Sequence, residues 1–306
     1  MRLERIAMLG AGLMGCGIAQ VFACAGHSVR ITDPIPEARA QARARILANI
    51  DEAGGEAAAL ARIEVVDSLE ACVADADFVF EAAPENLELK QQLFAEAELA
   101  AKPAAILASN TSVIPIGRIM ERVERRERAL GTHWWNPPYL VPLVEVIRAK
   151  ATSDAAVATT TALLRKVGKA PVEVKKDVAG FVGNRLQHAL WREAIALVAE
   201  GVCDAKTVDD VVKSSFGARL AVLGPLENAD LVGIDLTRAI HSYVLPALDR
   251  ATAPSPYLDA LIEKGRLGFK SGGGFHDWTG AEQAALKRRL ARHLKASFAA
   301  QPARQE

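Results

Sequence analysis

Along its first half the chain alternates short apolar runs with longer segments whose apolar residues recur at helical spacing. Arg5-Ile6-Ala7-Met8-Leu9 reads as a buried strand. Ile18, Ala19, Val21, Phe22 and Ala25 mark a helix that stops at Gly26, and His27–Thr32 is a second strand. Pro36–Ala53 is expected to be helical as far as Gly54-Gly55. Ile63–Val66 and Asp77–Ala82 read as strands, Leu87–Ala101 as a helix ended by Lys102-Pro103, Ala105–Ala108 as a strand and Ile114–Arg125 as a helix. Ala129–Trp135, Val141–Ile147 and Val172–Val174 complete the strands. Repeated strand–helix–strand units predict an α/β domain with a mostly parallel sheet covered on both faces.

From Asp177 onward the strand signal stops. Phe181–Glu200 carries Leu186, Leu190, Ile195, Leu197 and Val198 at helical spacing and ends at Gly201. Asp204 opens a helix over Ala205–Ser215, and the remainder is helical with turns at Gly224-Pro225 and Lys270–Gly274. The change predicts two domains, 1–176 and an all-α 177–306. The basic amphipathic stretch Ala281–Phe298 is read as a solvated surface helix.

Composition narrows the class. The 37 basic and 37 acidic residues cancel, so no net field favours nucleic acid or an anionic membrane as a partner. No apolar run approaches a bilayer span, and Met1-Arg2-Leu3-Glu4-Arg5 passes directly into the first strand, so no signal peptide is expected. The four cysteines, Cys16, Cys24, Cys72 and Cys203, lack metal or CxxC spacing and fit reduced residues of a cytoplasmic protein with no metal site.

Between the first strand and its helix stands Gly10-Ala11-Gly12-Leu13-Met14-Gly15. Gly10 makes the turn, Gly12 lets backbone approach a pyrophosphate and Gly15 lets helix and strand pack closely. The helix N-terminus offers free N–H groups to phosphates. Asp33 closes the second strand near the spacing a ribose contact needs. A glycine-rich turn chosen only for packing is the competing reading, and the strand–helix–strand context favours a dinucleotide. Asp33 can accept both ribose hydroxyls and would repel a 2′-phosphate, so the cofactor expected is NAD. Arg30 is expected to point elsewhere.

A second constellation lies at Gly131-Thr132-His133-Trp134-Trp135-Asn136-Pro137-Pro138 and Leu143-Val144-Glu145-Val146. The prolines break the strand pattern. A reversal about Tyr139 would put His133 and Glu145 opposite each other. A carboxylate on one imidazole nitrogen fixes the tautomer and leaves the other nitrogen free to take a proton. A core histidine beside a strand-end glutamate is the plainer alternative.

Together with Pro84-Glu85-Asn86, Lys90, Ser109-Asn110-Thr111-Ser112 and Gly180-Phe181-Val182-Gly183-Asn184-Arg185, these motifs resemble the 3-hydroxyacyl-CoA dehydrogenase family in order and near-spacing, from Arg5 to Trp278. The resemblance implies a Rossmann-type N-terminal domain that binds NAD and a helical C-terminal domain through which a homodimer forms. It implies that His133 and Glu145 are the catalytic pair, and that Ser112 and Asn184 bond the reacting oxygen and steady the histidine. It places Leu13, Met14, Asp33, Glu85, Lys90 and Asn110, with Gly10, Gly12 and Gly15, at the cofactor. Three of these have local alternatives: Ser112 as N-cap of Ile114–Arg125, Asn184 in a helix-start hydrogen bond, and Lys90 in an exposed ion pair with Glu85.

The family takes either CoA thioesters or small free hydroxy acids and related alcohols. The second branch includes L-gulonate (lambda-crystallin line), carnitine and vitamin B6-degradation dehydrogenases. Asn136-Pro137-Pro138-Tyr139 looks like that branch. The Asp33–Glu85 interval is too short for the basic helical hairpin that usually holds CoA. Gly217-Ala218-Arg219 stands where thioester enzymes more often show His-Pro-Met. Pro254-Ser255-Pro256 and Gly265–Phe275 look like the 3-hydroxybutyryl-CoA enzymes instead, and Arg39, Arg43 and Arg45 are available for CoA phosphates. The expectation is a small hydroxy acid whose carboxylate meets Arg219, with L-3-hydroxyacyl-CoA as the alternative. A catalytically idle NAD-binding protein is a third reading.

Overall fold

The computed structural model describes residues 3–299. In chain order the first elements are β1 (Arg5–Leu9), α1 (Leu13–Cys24), β2 (Ser28–Thr32), α2 (Pro36–Ala53), β3 (Ile63–Val65), α3 (Leu69–Val73), β4 (Phe78–Glu81), α4 (Leu87–Ala100) and β5 (Ile106–Ser109). α5 (Ile116–Ile119), β6 (Ala129–Trp134), β7 (Leu143–Ile147), α6 (Asp154–Lys166), β8 (Ala170–Val174) and α7 (Gly183–Ala199) follow. The strands form one eight-stranded sheet in the order β3-β2-β1-β4-β5-β6-β7-β8. All neighbouring pairs are parallel except β6 and β7, which run antiparallel.

The sheet is apolar on both faces because its strands alternate between two cores. Ile6, Met8, Phe78 and Phe80 enter one cluster with α1 residues Ile18 and Phe22. Ala7, Leu9 and Val79 enter the other with Phe94, Ile116 and Ile119. A period of two on a strand buried on both sides gives a continuous apolar run in sequence.

One expectation is corrected and one helix is added. The helix expected over Ile114–Arg125 is only α5 followed by a 3₁₀ turn at Met120–Arg122. Pro115 precedes α5, whose exposed N–H groups at Ile116 and Gly117 are satisfied by the Asp177 carboxylate at 2.8 and 2.7 Å. The helix α6 was not anticipated: Ser153 caps it by accepting from Ala156 N–H at 3.2 Å.

The chain divides into two compact units, Met1–Arg185 with Ala291–Glu306, and Leu186–Leu290. The first therefore runs past the expected break at Asp177. Asp177 caps α5, Gly180 N–H donates to Val113 O at 3.3 Å, and Val182 and Gly183 bond Glu145, so this stretch is tied to the sheet domain. The second unit holds the rest of α7, then α8 (Ala205–Ser214), α9 (Phe216–Arg219), α10 (Pro225–Val232), α11 (Ile234–Val244) and α12 (Pro256–Glu263). It also holds the start of α13 (Gly280–Ala299). The glycine run before α13 is a turn, with Gly268 N–H bonded to Gly273 O at 2.7 Å. No hydrophobic side chain from Leu186 to Leu290 is buried.

Candidate active site

The site residues collect at the carboxyl edge of the sheet, where ligands bind in open parallel sheets. Gly10 follows β1 with φ +109°, a backbone region that favours glycine. A side chain on Gly15 would come within 1.9 Å of Gly10 O, so the loop closes onto α1 only with glycine there. Beside Gly12 the corresponding space is open, α1 begins with no side-chain cap, and its first turn carries no acid. Leu13 is exposed at the loop, while Met14 packs inward.

Asp33 lies at the end of β2, its Oδ2 accepting from Ala11 N–H at 2.8 Å and its Oδ1 from Ile35 N–H at 2.9 Å. The carboxylate is thereby fixed beside the glycine loop. Arg30 does turn away, to Glu64 at 2.9 Å and Ala71 O at 3.1 Å. An open glycine cradle, an uncapped helix N-terminus and an acid on the adjoining strand fit NAD.

The histidine pair forms as the prolines imply. His133 and Glu145 are direct register partners across the antiparallel β6 and β7. Nδ1 of His133 lies 2.7 Å from Glu145 Oε2. The other oxygen, Oε1, accepts from Val182 N–H at 3.0 Å and Gly183 N–H at 3.1 Å, at the start of α7. Burial alone would raise the Glu145 pKa, but the bonds from His133, Gly183 and Val182 outweigh it and hold the carboxyl below its ordinary value. Phe181, at φ +50°, is buried with its ring 5.7 Å from that of His133, and the Trp135 ring packs at 5.2 Å. The pair is held rather than merely adjacent.

Ser112 does not cap a helix: Thr111 Oγ1, not Ser112, accepts from Ile114 N–H, at 3.1 Å. Ser112 N–H instead donates to Glu85, and Asn184 Nδ2 donates to Ser112 O at 2.9 Å. Asn184 is buried and clusters with the sheet-containing unit. Asn110 Oδ1 accepts from Trp134 N–H at 2.9 Å, beside His133.

Lys90 departs most from expectation. Its side chain is 1% exposed, so its pairing with Glu85 is not the exposed surface contact of the local alternative. Its Nζ lies 2.6 Å from Glu81 and 3.8 Å from Glu85. Glu81, Thr111 and Phe181 were not singled out from sequence; a carboxylate closing an otherwise apolar strand was the available signal for Glu81. Arg219 is exposed at the end of α9 in the helical unit, with no ion pair among the described residues.

Below the loop joining β6 and β7, Lys169 Nζ donates to the carbonyls of Pro138 and Val141, and burial pushes its pKa down to about 8. The unfolded chain then binds more protons than the folded one above that pH. The cost of burying the ammonium is complete below about pH 8 and relieved as pH rises toward the ordinary value of 10.5. Chemical denaturation between pH 7.5 and about 10 should show wild type gaining stability relative to Lys169→Met; parallel curves would show an unshifted lysine.

Comparisons with known proteins agree with this arrangement. The profile described as 3-hydroxyacyl-CoA dehydrogenase, NAD binding domain, matches residues 5–178, and that of the C-terminal domain matches residues 180–278. The 5-formyl-3-hydroxy-2-methylpyridine 4-carboxylate 5-dehydrogenase of Mesorhizobium japonicum is 35% identical over 96% of this chain and 97% of its own. A probable 3-hydroxybutyryl-CoA dehydrogenase of Bacillus subtilis is 38% identical over 91% of this chain and 98% of its own. A crystal structure of the former kind of enzyme, described as an NAD+-dependent dismutase, superposes with a TM-score of 0.90. It is 33% identical and covers 98% of this chain and 100% of its own.

Proposed function

The chain belongs to the 3-hydroxyacyl-CoA dehydrogenase family and is an NAD-dependent dehydrogenase of CH–OH groups, and on that premise we propose that it oxidises a small free hydroxy acid. The observation that carries the choice is the state of α2. Between β2 and β3 there is a single 18-residue helix and a short 3₁₀ turn at Ala57–Arg62, with no helical hairpin to hold a nucleotide. The arginines that could have met CoA phosphates face the protein. Arg39 donates to Asp33 O at 2.6 Å, Arg43 to Ile63 O at 2.6 Å and Arg45 to Ala11 O at 2.7 Å. Arg39 also pairs with Asp67 at 3.3 Å. The relative acting on a pyridine carboxylate supports the same class, and the thioester relative is the alternative.

Bound NAD supplies the acceptor for the substrate's hydride. His133 donates its Nδ1 proton to Glu145, which leaves Nε2 to take the hydroxyl proton. Glu145, already an anion held by two N–H groups, stabilises the imidazolium that results. Ser112 and Asn184 are proposed to bond the reacting oxygen and to fix the segment beside the histidine. Glu85, Asn110, Leu13 and Met14 are proposed cofactor contacts. NADH formation over a panel of free hydroxy acids is the test. NAD binding without turnover on any hydroxy acid or acyl-CoA would return the idle-binder reading.

Asp33 should make NAD better than NADP by about tenfold or more in kcat/KM, since a carboxylate repels a 2′-phosphate. Equal kcat/KM values for the two cofactors would remove Asp33 from the ribose.

We further propose a cytoplasmic homodimer. Cys16 and Cys72 are free and buried, which suits a reducing compartment. A helical unit with no buried hydrophobic side chain needs apolar partners. Val222, Leu226 and Leu231 are 90%, 80% and 73% exposed, and Trp191, Ile195, Val198 and Phe275 line an open hollow of about 360 Å³. A second copy supplies such a surface. Sedimentation should give twice the chain mass; a stable monomer at micromolar concentration would contradict the dimer.

A further inference from the structure

We propose that Glu81 is a positioning residue of the cofactor edge: its buried carboxylate sets, through Lys90 and Ser109, the two loops that present Glu85, Asn110 and Ser112. The assignment rests on the reading of those three residues as site residues.

Glu81 ends β4 and is the register partner of Leu9 in β1 on one side and Ser109 in β5 on the other. It therefore sits beside the glycine loop at the β1–β4 junction, where the strand order changes direction. Glu81 and Ser109 are each 0% exposed. Such a carboxylate is tolerated only when its oxygens are fully engaged. Oε1 accepts from Lys90 Nζ at 2.6 Å and Ala83 N–H at 2.5 Å, and Oε2 accepts from Ser109 Oγ at 2.6 Å.

Each of these bonds leads into one of the loops. Lys90 Nζ also donates to Ala83 O at 3.0 Å, so both polar groups of Ala83 are fixed by the ion pair, one by each partner. That pins the turn from which Glu85 projects. Ser109 Oγ, while donating to Glu81, accepts from Thr111 N–H at 3.2 Å, which pins the second loop between Asn110 and Ser112. Glu85 then crosses from the first loop to the second, accepting from Thr111 Oγ1 at 2.9 Å and from Ser112 N–H. With Nζ directed at Glu81, Ala83 and Glu85, Lys90 reaches the cofactor edge through this network. An apolar pair of equal volume would fill the same space at no greater cost in stability. What it could not do is orient Ala83 and Thr111.

The full-length protein is compared as wild type, as Glu81→Leu/Lys90→Met and as Ser109→Ala. NADH affinity is read by fluorescence titration, stability by Tm, and turnover with the best substrate. The double variant strands no charge, so its Tm should stay near wild type, while NADH affinity and kcat should each fall about tenfold or more because the loops lose their register. Wild-type affinity and kcat in the double variant would overturn the proposal. If that variant fails to fold, Ser109→Ala decides, since it keeps the ion pair and frees only the second loop. A kcat lowered about threefold or more at unchanged Tm supports the role, and an unchanged kcat overturns it. A wild-type protein that binds NADH but turns over nothing would sink the dehydrogenase reading alone, because the affinity comparison needs no turnover.

Discussion

His133→Gln should lower kcat by about 10²–10⁴ while NAD affinity stays close to wild type. Glutamine keeps a polar group of similar reach opposite Glu145 but has no nitrogen that can take the hydroxyl proton. The separation of effects follows from the geometry. His133 and Glu145 face each other on β6 and β7, whereas the glycine loop and Asp33 belong to β1 and β2, on the other side of β4 and β5. Glu145→Gln should cost less and move the pH profile, because an amide can still orient the imidazole but no longer balances its positive charge. Glu145 is held below its ordinary pKa, after burial is offset, by His133 and by the N–H groups of Gly183 and Val182. Any contribution it makes to stability is therefore present above the unfolded pKa and lost as pH falls through the lower folded one. Retention of more than about a tenth of wild-type kcat in His133→Gln would be incompatible with a general base.

Arg219→Met should raise KM for a carboxylate substrate by tens-fold or more, consistent with losing a charge-assisted bidentate pair worth about 2 kcal/mol. NAD affinity and Tm should barely change. A surface arginine at this position would instead pair with Glu227 or Asp230, the nearby acids of the following segment. That pair is absent among the described residues, and Glu227 is engaged at the start of α10, accepting from Gly224 N–H at 2.6 Å. An exposed guanidinium without a protein counter-ion is available to a ligand carboxylate. A methionine of similar length preserves the packing of the stem. An unchanged KM would return Arg219 to the solvated surface.

Local patterns carried the sheet domain. Pro36–Ala53 ends where Gly54 takes φ +77°, and β1, β2, β4 and β5 were legible as apolar runs closed by Gly10, Asp33, Glu81 and Ser109-Asn110. The pairing of His133 with Glu145 was legible because a proline break between two strands leaves one reversal to make. What escaped depended on partners distant in sequence. α6 contains Thr159-Thr160-Thr161, a β-branched run that blurs the helical signal. The shortness of α5 is set by Pro115 and by Asp177, 61 residues beyond Ile116. The exposed pair with Glu85, the local alternative for Lys90, was drawn from five-residue spacing, which says nothing of Glu81, whose carboxylate reaches Lys90 from β4. The bonds that tie the stretch from Asp177 to Arg185 to the sheet were out of reach for the same reason, since their partners Ile116, Val113 and Glu145 lie far back in the chain.

The most direct test is kcat/KM of the wild-type protein, with NAD, for a matched pair: a short free 3-hydroxy acid and the CoA thioester of the same acid. A single 18-residue α2, three arginines turned to backbone carbonyls and an Arg219 without an ion pair among the described residues predict that the free acid is preferred. A thioester preferred by about tenfold or more, an advantage of about 1.4 kcal/mol in transition-state binding, would contradict the proposed substrate class and the role of Arg219 with it.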